Sequence, residues 1–385
     1  MNLTKRNKLI IYILCVILSI AFIGLSNLYI QKNGDFNVAG EESVILKAVV
    51  TKVLDKRVEQ SNLGGANDYI TFNAMITEGS MDGAEVTATQ LNDIHMAVKM
   101  KEVEVGDKII LSYIGEVETD GEWMLAEYIR TDKLIMLGII FVVLLLIFGR
   151  FNGVSTILSL CFTCLSIFVV LVPAIIGGFN VYFWTIIVSV FIIVMTIILV
   201  NGISTKSIVA AIGCFGGVSI CGLITIVMKH FLYLTGMVDE ESMFLLMLHS
   251  ENPIDLNAII FAAIIIGAVG AIMDVAISMS SSLYEVAQQT ENPQMKTILK
   301  SGINIGRDIL GTMSNTLILA YIGSSLTVVL LLVAYNQSLT ALFNREMIIV
   351  EILQALTGSF GLLLTIPLTS VVASIFFTKK CEISK

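Results

Sequence analysis

The chain has 385 residues, of which 56% are hydrophobic and only 14% are charged, and its mean hydropathy is +0.88. These values exclude a soluble globular protein of this size and indicate several membrane-spanning segments in a lipid bilayer. The net charge is −8, and the acidic balance lies in residues 31–133, which carry 10 Lys and Arg against 19 Asp and Glu. Without a basic surface, nucleic acid is excluded as a partner.

Residues 1–30 combine a basic start, MNLTKRNK, with an apolar run that is long enough to span a bilayer. The run exceeds the apolar core of an ordinary secretory signal, and no clear A-x-A cleavage site follows it. We interpret it as a transmembrane signal anchor, with cleavage as the alternative. In either case, the residues that follow are exported.

Residues 31–133 are predicted to form a small extracellular β-domain. Short β-rich runs, among them SVILKAVVTKV, DYITFNAMI and DKIILSYIGEV, alternate with GG, DG and TDG turns. This series is typical of a small barrel, and an OB-like fold is the specific expectation. The domain is either a folded cap or a ligand-binding module, and its strands offer few aromatic residues for the second role.

The segment 134–378 is predicted to form a seven-helix transmembrane domain, followed by a tail at 379–385. The fold class is therefore a membrane all-α protein, an eight-helix bundle with the β-domain inserted after the first helix. Each apolar segment is close to the roughly 20 residues that a bilayer requires. The seven predicted spans are 134–149, 154–176, 180–200, 207–228, 256–279, 309–334 and 352–377.

The basic residues outside the β-domain predict the orientation in the cell membrane. Almost all of them fall on one side of the predicted spans, where the positive-inside rule places the cytoplasm. Both termini are then cytoplasmic and residues 31–133 extracellular. The residues on the cytoplasmic side are Lys5, Arg6, Lys8, Arg150, Lys206, Lys296, Lys300, Arg307, Lys379, Lys380 and Lys385.

Residues 257–327 contain the candidate functional site. The run NAIIFAAIIIGAVGAIMDVAIS places a carboxylate, Asp274, inside an otherwise apolar helix. Such a group is costly in a bilayer unless it is paired or hydrated, so it marks the default place for a mechanism. Polar residues on this helix and the next recur every three or four positions and share helix faces. The predicted substrate or ion pathway consists of Asp274, Ser278, Asn304, Arg307, Asp308, Thr312 and Asn315.

Two interpretations of these polar residues remain open. In the first, they line a functional pathway through the membrane. In the second, Asp274 and Arg307 form a fixed ion pair that holds two helices together and masks the charge. The number of polar groups favours the pathway, because one ion pair does not require the others. Helix breaks predicted at Gly323-Ser324-Ser325 and at Pro367 also favour it, since interrupted helices mark many transporter sites.

No enzymatic activity and no catalytic residue is predicted. The sequence contains no GxSxG, HExxH or Walker A motif. Cys161 and Cys164 share a helix face but have no His or acidic neighbours, so they are interpreted as packing residues. No metal site and no cofactor is predicted.

Three segments carry a family resemblance: IIGAVGAIMDVAIS, SGINIGRDILGTMSNTLILAYIGSSL and LLLTIPLTSVVAS. They resemble the signature segments of the YibE/YibF family of multi-pass membrane proteins, and the similarity extends over most of the chain, including the β-domain. The resemblance implies a bacterial cytoplasmic-membrane protein. Because some members are similar in coming as a pair, it also implies a homologous membrane partner. A homo-oligomer is the alternative, which the sequence leaves open. The resemblance implies no established activity.

A secondary transporter or permease-like protein is the leading functional expectation. Asp274 is then the proton- or cation-responsive group, Arg307 and Asp308 are its charge partners, and Asn304 and Asn315 line the pathway. The alternative is a membrane scaffold or sensor without transport activity, whose β-domain binds a partner in the cell envelope.

Overall fold

The computed structural model describes most of the chain as two compact units, Gly40–Leu144 and the combined stretches Met1–Ala39 and Leu145–Lys385. The first four and last two residues, at the predicted cytoplasmic ends, lie outside the described residues. The described ranges are 5–36, 44–60, 66–79, 81–92, 101–114, 122–248, 254–290, 293–334 and 338–383.

The first unit contains a closed five-stranded barrel, which confirms the prediction of a small barrel near the N-terminus. Its strands follow one another in the order β1-β2-β3-β5-β4 around the barrel. The strands are β1 Ile45–Gln60, β2 Ala66–Ile76, β3 Glu85–Asn92, β4 Lys108–Ile114 and β5 Glu122–Tyr128.

The long first strand closes the barrel. It pairs antiparallel with both β2 and β4, and register shifts between Val50 and Lys52 and between Val53 and Asp55 interrupt its ladder with β2. Such irregularities bend a strand, which allows β1 to reach both neighbours. The remaining closure is a parallel pairing of β3 with β5 at Ala88.

The barrel interior is filled by alternate residues of the strands. Ile70 and Phe72 on β2 and Ile109 and Leu111 on β4 are at most 2% exposed. Two-residue spacing places each pair on one face of its strand. The described strands contain no cysteine, so this apolar interior holds the unit together.

The second unit is helical. A π-helical turn at Ser166–Leu171 interrupts the second of its long segments. The helices are α1 Lys5–Asn33, α2 Thr131–Leu165, α3 Val172–Ile176, α4 Val181–Asn201, α5 Thr205–Phe231, α6 Glu240–Leu248, α7 Leu256–Gln289, α8 Met295–Ser324, α9 Leu326–Ala334, α10 Leu339–Phe343 and α11 Glu346–Ile383; α2 begins in the first unit.

Within the described residues, six helical segments are long and apolar enough to cross a membrane. One of them, Thr131–Ile176, contains two of the predicted spans, and Arg150 (φ 49°, ψ −127°) departs from helical geometry between them. The predicted span 309–334 is divided at Ser325 between α8 and α9 and is not among the six.

Polar side chains define where several helices begin. Asn180, Ser204 and Asp255 each precede a helix, and each side-chain oxygen accepts a hydrogen bond from a backbone N–H in the first turn. These caps satisfy donors that have no partner inside the helix. The starts of α4, α5 and α7 are therefore fixed by local sequence.

Helix α11 packs closely against α5. A β-carbon built on Gly213 would collide with the hydroxyl group of Thr369, and one built on Gly217 would collide with that of Thr365. Glycine at these two positions lets the backbone of α5 approach the threonine side of α11. Helices α7 and α8, which carry the predicted site, also pack on α11.

Candidate functional site

Asp274 lies on the open side of α7. Its side chain and that of Ser278, one turn further, are exposed, whereas Ile272, Val275 and Ala276 are fully buried. Residues four apart lie on the same face of a helix. The apolar faces of α7 therefore pack into the bundle, and the carboxylate lies on the remaining face.

Asp274 and Arg307 do not form an ion pair. Both side chains belong to the described residues, and among those no salt bridge includes either of them. The clasp between the two helices, one of the two interpretations of the sequence, is absent from this arrangement.

The register of α7 against α8 explains the separation. Gly267 lies against Tyr321 near one end of the helix pair, and Leu283 lies against Gly302 near the other. In an antiparallel pair with these two contacts, Asp274 is level with residues 311–314 of α8. Arg307 is level with residues 278–281 of α7, about 6–10 Å further along that helix than Asp274.

Helix α8 turns a glycine face toward α11. Gly302 and Gly306 are buried, and β-carbons built on them would collide with Ser370 and Ile366 of α11, respectively. Because these two glycines are four residues apart, the backbone of α8 lies close to α11 over one full turn.

The predicted residues of α8 are all exposed. Thr312 donates a hydrogen bond from its hydroxyl group to the Ile309 carbonyl oxygen at 2.9 Å, within its own helix. The structure thus brings Thr312 to the level of Asp274, places Asn315 just beyond that level, and leaves Arg307 near the level of Ser278. The five exposed residues are Asn304, Arg307, Asp308, Thr312 and Asn315.

A partly buried cluster of polar side chains on α8 and α11 was missed in the sequence. A β-carbon built on Gly267 would lie 2.6 Å from the Tyr321 hydroxyl oxygen and 3.5 Å from Gln354 Nε2. Thr357, also on α11, is fully buried, and its hydroxyl group has no hydrogen-bond partner in the described part of the chain. The sequence did contain a signal: Glu351, Gln354 and Thr357 recur every three residues at the start of the last predicted span.

In the described ranges, no three His, Cys, Asp or Glu side chains come together in a way that holds a metal ion. Cys161 and Cys164 are exposed free cysteines. The chemistry that this site offers is therefore that of a carboxylate, a guanidinium group, hydroxyl groups and amides.

The fold and the candidate site indicate the class of protein: a multi-pass helical membrane protein with ionisable groups on two of its central helices. The family model described as "YibE/F-like protein" matches residues 137–379, and the chain belongs to this family. The match includes α7, α8 and all seven predicted site residues, but not the barrel. No curated protein and no solved structure matches the chain.

Proposed function

We propose that this protein is a secondary transporter of the cell membrane, in which Asp274 is the group that responds to a proton or a small cation. In this proposal the protein moves its substrate without covalent chemistry. The barrel is an extracellular domain. The observation that carries the proposal is the position of Asp274: an exposed carboxylate with no ion pair among the described residues, on a long apolar helix whose other faces are buried.

The membrane topology in this proposal has eight spans. Arg150 divides Thr131–Ile176 into two of them, and α8 together with α9 forms the seventh. The positive-inside rule supports cytoplasmic termini for this arrangement. A span interrupted at Ser325 is compatible with transport, because helix breaks inside membranes are satisfied where they line polar cavities.

The surroundings of Asp274 support ion access. Gly270, one turn before it, and Gly311 on α8 have open space where a side chain would stand. Thr312, at the level of Asp274, supplies an oxygen atom that suits a hydrated cation or a proton carried by water. Arg307 is too far along α8 to neutralise the carboxylate directly.

The test is a flux measurement in proteoliposomes that contain the purified full chain. Proton and alkali-cation flux under an imposed gradient is compared between the parent protein and Asp274→Asn at equal insertion. The matched control is Glu285→Gln, the same chemical change on the same helix, about 16 Å nearer to its end. We expect Asp274→Asn to abolish flux and Glu285→Gln to retain most of it.

Two results would contradict the proposal. The first is that neither protons nor cations move through the parent protein. The second is that Asp274→Asn carries flux as fast as the parent does. The scaffold or sensor function then becomes the better explanation. It predicts that deletion of residues 44–132 removes activity in cells while Asp274→Asn is tolerated.

A further inference from the structure

Helix α8 carries a polar surface that the rest of the chain leaves uncovered. Asn304, Gly311 and Asn315 form a stripe, here called the outer stripe of α8, and all three are exposed. The stripe lies opposite the face on which Gly302 and Gly306 pack against α11. At the level of Asn315, the neighbouring helix α7 is deep within an apolar segment.

Two charged residues flank this stripe on opposite sides. With about 100° between successive residues, Arg307 lies about 60° to one side of the middle of the stripe and Asp308 about 40° to the other. Adjacent residues of a helix do not face each other, so the two cannot pair within one chain. Both are exposed, and in the described ranges neither forms a salt bridge.

We propose that the outer stripe of α8 is the interface with a second copy of this chain. Two copies inserted in the same orientation are related by a two-fold axis along the membrane normal, so residues meet at equal depth. Arg307 then lies beside Asp308 of the partner subunit, and the reciprocal pair forms at the same time. Asn315 meets Asn315 of the partner subunit, where two amides can exchange hydrogen bonds.

The charge pattern favours a second copy over lipid. Hydrocarbon offers no partner for the Asn315 amide, whereas the same helix of another copy does. A cation and an anion on opposite flanks of one stripe are self-complementary under two-fold symmetry, which a surface facing lipid does not require. Gly311, at the centre, has no atom within 4 Å of a β-carbon built on it, so a second backbone can come close.

The interface is tested by exchanging its charges. Differently tagged full-length copies carrying Arg307→Asp or Asp308→Arg are reconstituted in liposomes, alone and mixed, and subunits are counted by single-molecule photobleaching. Alone, each variant places like charges opposite each other, and we expect its dimer fraction to fall at least about tenfold. Mixed, the two variants form two opposite-charge pairs, and we expect the dimer fraction to return to that of the parent.

A steric pair of variants tests the same stripe without changing charge. Gly311→Leu fills the proposed crossing point and should abolish dimers. Gly323→Leu is the matched control: Gly323 is on the same helix and also has open space around it, but it lies about 100° away from the stripe. This variant should leave the dimer fraction unchanged.

Rescue by mixing separates the interface from misfolding, since a chain that fails to fold is not restored by a second defective chain. The proposal is overturned if the parent is monomeric at every protein-to-lipid ratio, if either charge variant alone remains dimeric, or if the mixture stays monomeric. The inference does not rest on transport, because subunit counting requires no flux. A dimer without flux would contradict only the proposed function.

Discussion

Tyr321 of α8 lies directly over Gly267 of α7, so that a β-carbon at position 267 would come within 2.6 Å of the tyrosine hydroxyl oxygen. This contact fixes one end of the α7–α8 pair. It also sets the level of Asp274 against α8, because the two helices run antiparallel from it. Gly267, which has no side chain, thus sets the level of the candidate site at Asp274, seven residues further along α7.

The first prediction concerns this contact. Gly267→Ala should destabilise the bundle by about 1–3 kcal/mol, because the added methyl group displaces Tyr321 and the adjacent Gln354 amide. Gly270→Ala adds the same methyl group one turn away, where no atom lies within 4 Å, and should be neutral or stabilising by up to about 1 kcal/mol. Unfolding in increasing mole fractions of SDS measures both. Equal stability of the two variants would contradict the contact.

The second prediction concerns the loop that follows α5. The Glu346 carboxylate, at the start of α11, accepts hydrogen bonds from the backbone N–H of Thr235 at 2.7 Å and of Gly236 at 2.6 Å, and from the Thr235 hydroxyl at 2.8 Å. Gly236 adopts φ 90°, a left-handed conformation that disfavours other residues. One side chain therefore holds a loop that is 110 residues away in the sequence.

Glu346→Ala should cost about 1–3 kcal/mol, because it leaves two backbone donors without their charged acceptor. Hydrogen exchange of the amides at 235 and 236 should accelerate, since local opening becomes easier. Thr235→Val removes the hydroxyl group, which donates to Glu346 and accepts a weaker hydrogen bond from the Met237 N–H at 3.3 Å, and it serves as the graded control, with a smaller effect. Unchanged exchange in Glu346→Ala would show that the carboxylate does not hold the loop.

The sequence contained the elements of the site but not their register. Three- and four-residue spacing correctly placed Asp274 and Ser278 on one face of α7, and the small residues at 323–325 correctly marked the end of α8. The expected proximity of Asp274 and Arg307 depended on how far α8 slides along α7. Side-chain contacts such as Tyr321 on Gly267 decide that offset, and hydropathy carries no information about them.

The same limit applies to the strands of the barrel: local patterns predict the strands but not all of their pairings. Alternating β-rich runs revealed a barrel, because two-residue periodicity is local. The parallel pairing of β3 with β5 joins residues more than 30 positions apart, such as Ala88 and Trp123, and no local pattern specifies it. The half-buried Gln354 and the buried Thr357 were overlooked for another reason: a few uncharged polar residues do not take a long apolar segment out of the membrane-spanning range.

The third prediction concerns a buried amide of the barrel. Gln90 is 1% exposed; its Nε2 donates a hydrogen bond to the Lys101 carbonyl oxygen at 2.7 Å, and its Oε1 accepts one from the Val103 N–H at 2.9 Å. This side chain attaches the segment before β4 to β3. Gln90→Leu should destabilise the barrel by about 1–3 kcal/mol, because the Val103 N–H loses its acceptor and the Lys101 carbonyl oxygen keeps only the hydrogen bond from the Tyr128 hydroxyl group.

Tryptophan fluorescence measures this effect in the full chain. The protein has two tryptophans, so a Trp184→Phe background leaves Trp123, on β5, as the reporter of the barrel. Thr87→Ala, an exposed position on the same strand, is the control and should change stability by less than about 0.5 kcal/mol. Urea denaturation curves that coincide for Gln90→Leu and the control would contradict the role of Gln90.

The fourth prediction concerns the acid stability of the barrel. Burial acts to raise the pKa of the Asp107 carboxyl, but hydrogen bonds from the Lys101 ammonium group and the Glu104 N–H outweigh burial and hold this pKa below its ordinary value. An unfolded chain, with a carboxyl pKa near the usual value of about 3.9, then binds the proton more readily than the folded barrel does. The stabilisation from Asp107 is present above the unfolded-state pKa of about 3.9, and it is lost as the pH falls through the lower folded-state pKa.

Asp107→Asn should therefore weaken the barrel near neutral pH and reduce its loss of stability below about pH 4, because the group that releases its contacts on protonation is gone. Pepsin, which cleaves at acid pH, measures this directly: the rate of cleavage within residues 44–132 is followed from pH 5 to pH 2.5. Asp82→Asn makes the same change of charge on the exposed turn before β3 and should follow the parent curve. If Asp107→Asn also follows it, the contacts with Lys101 and Glu104 contribute nothing to the acid stability of the barrel.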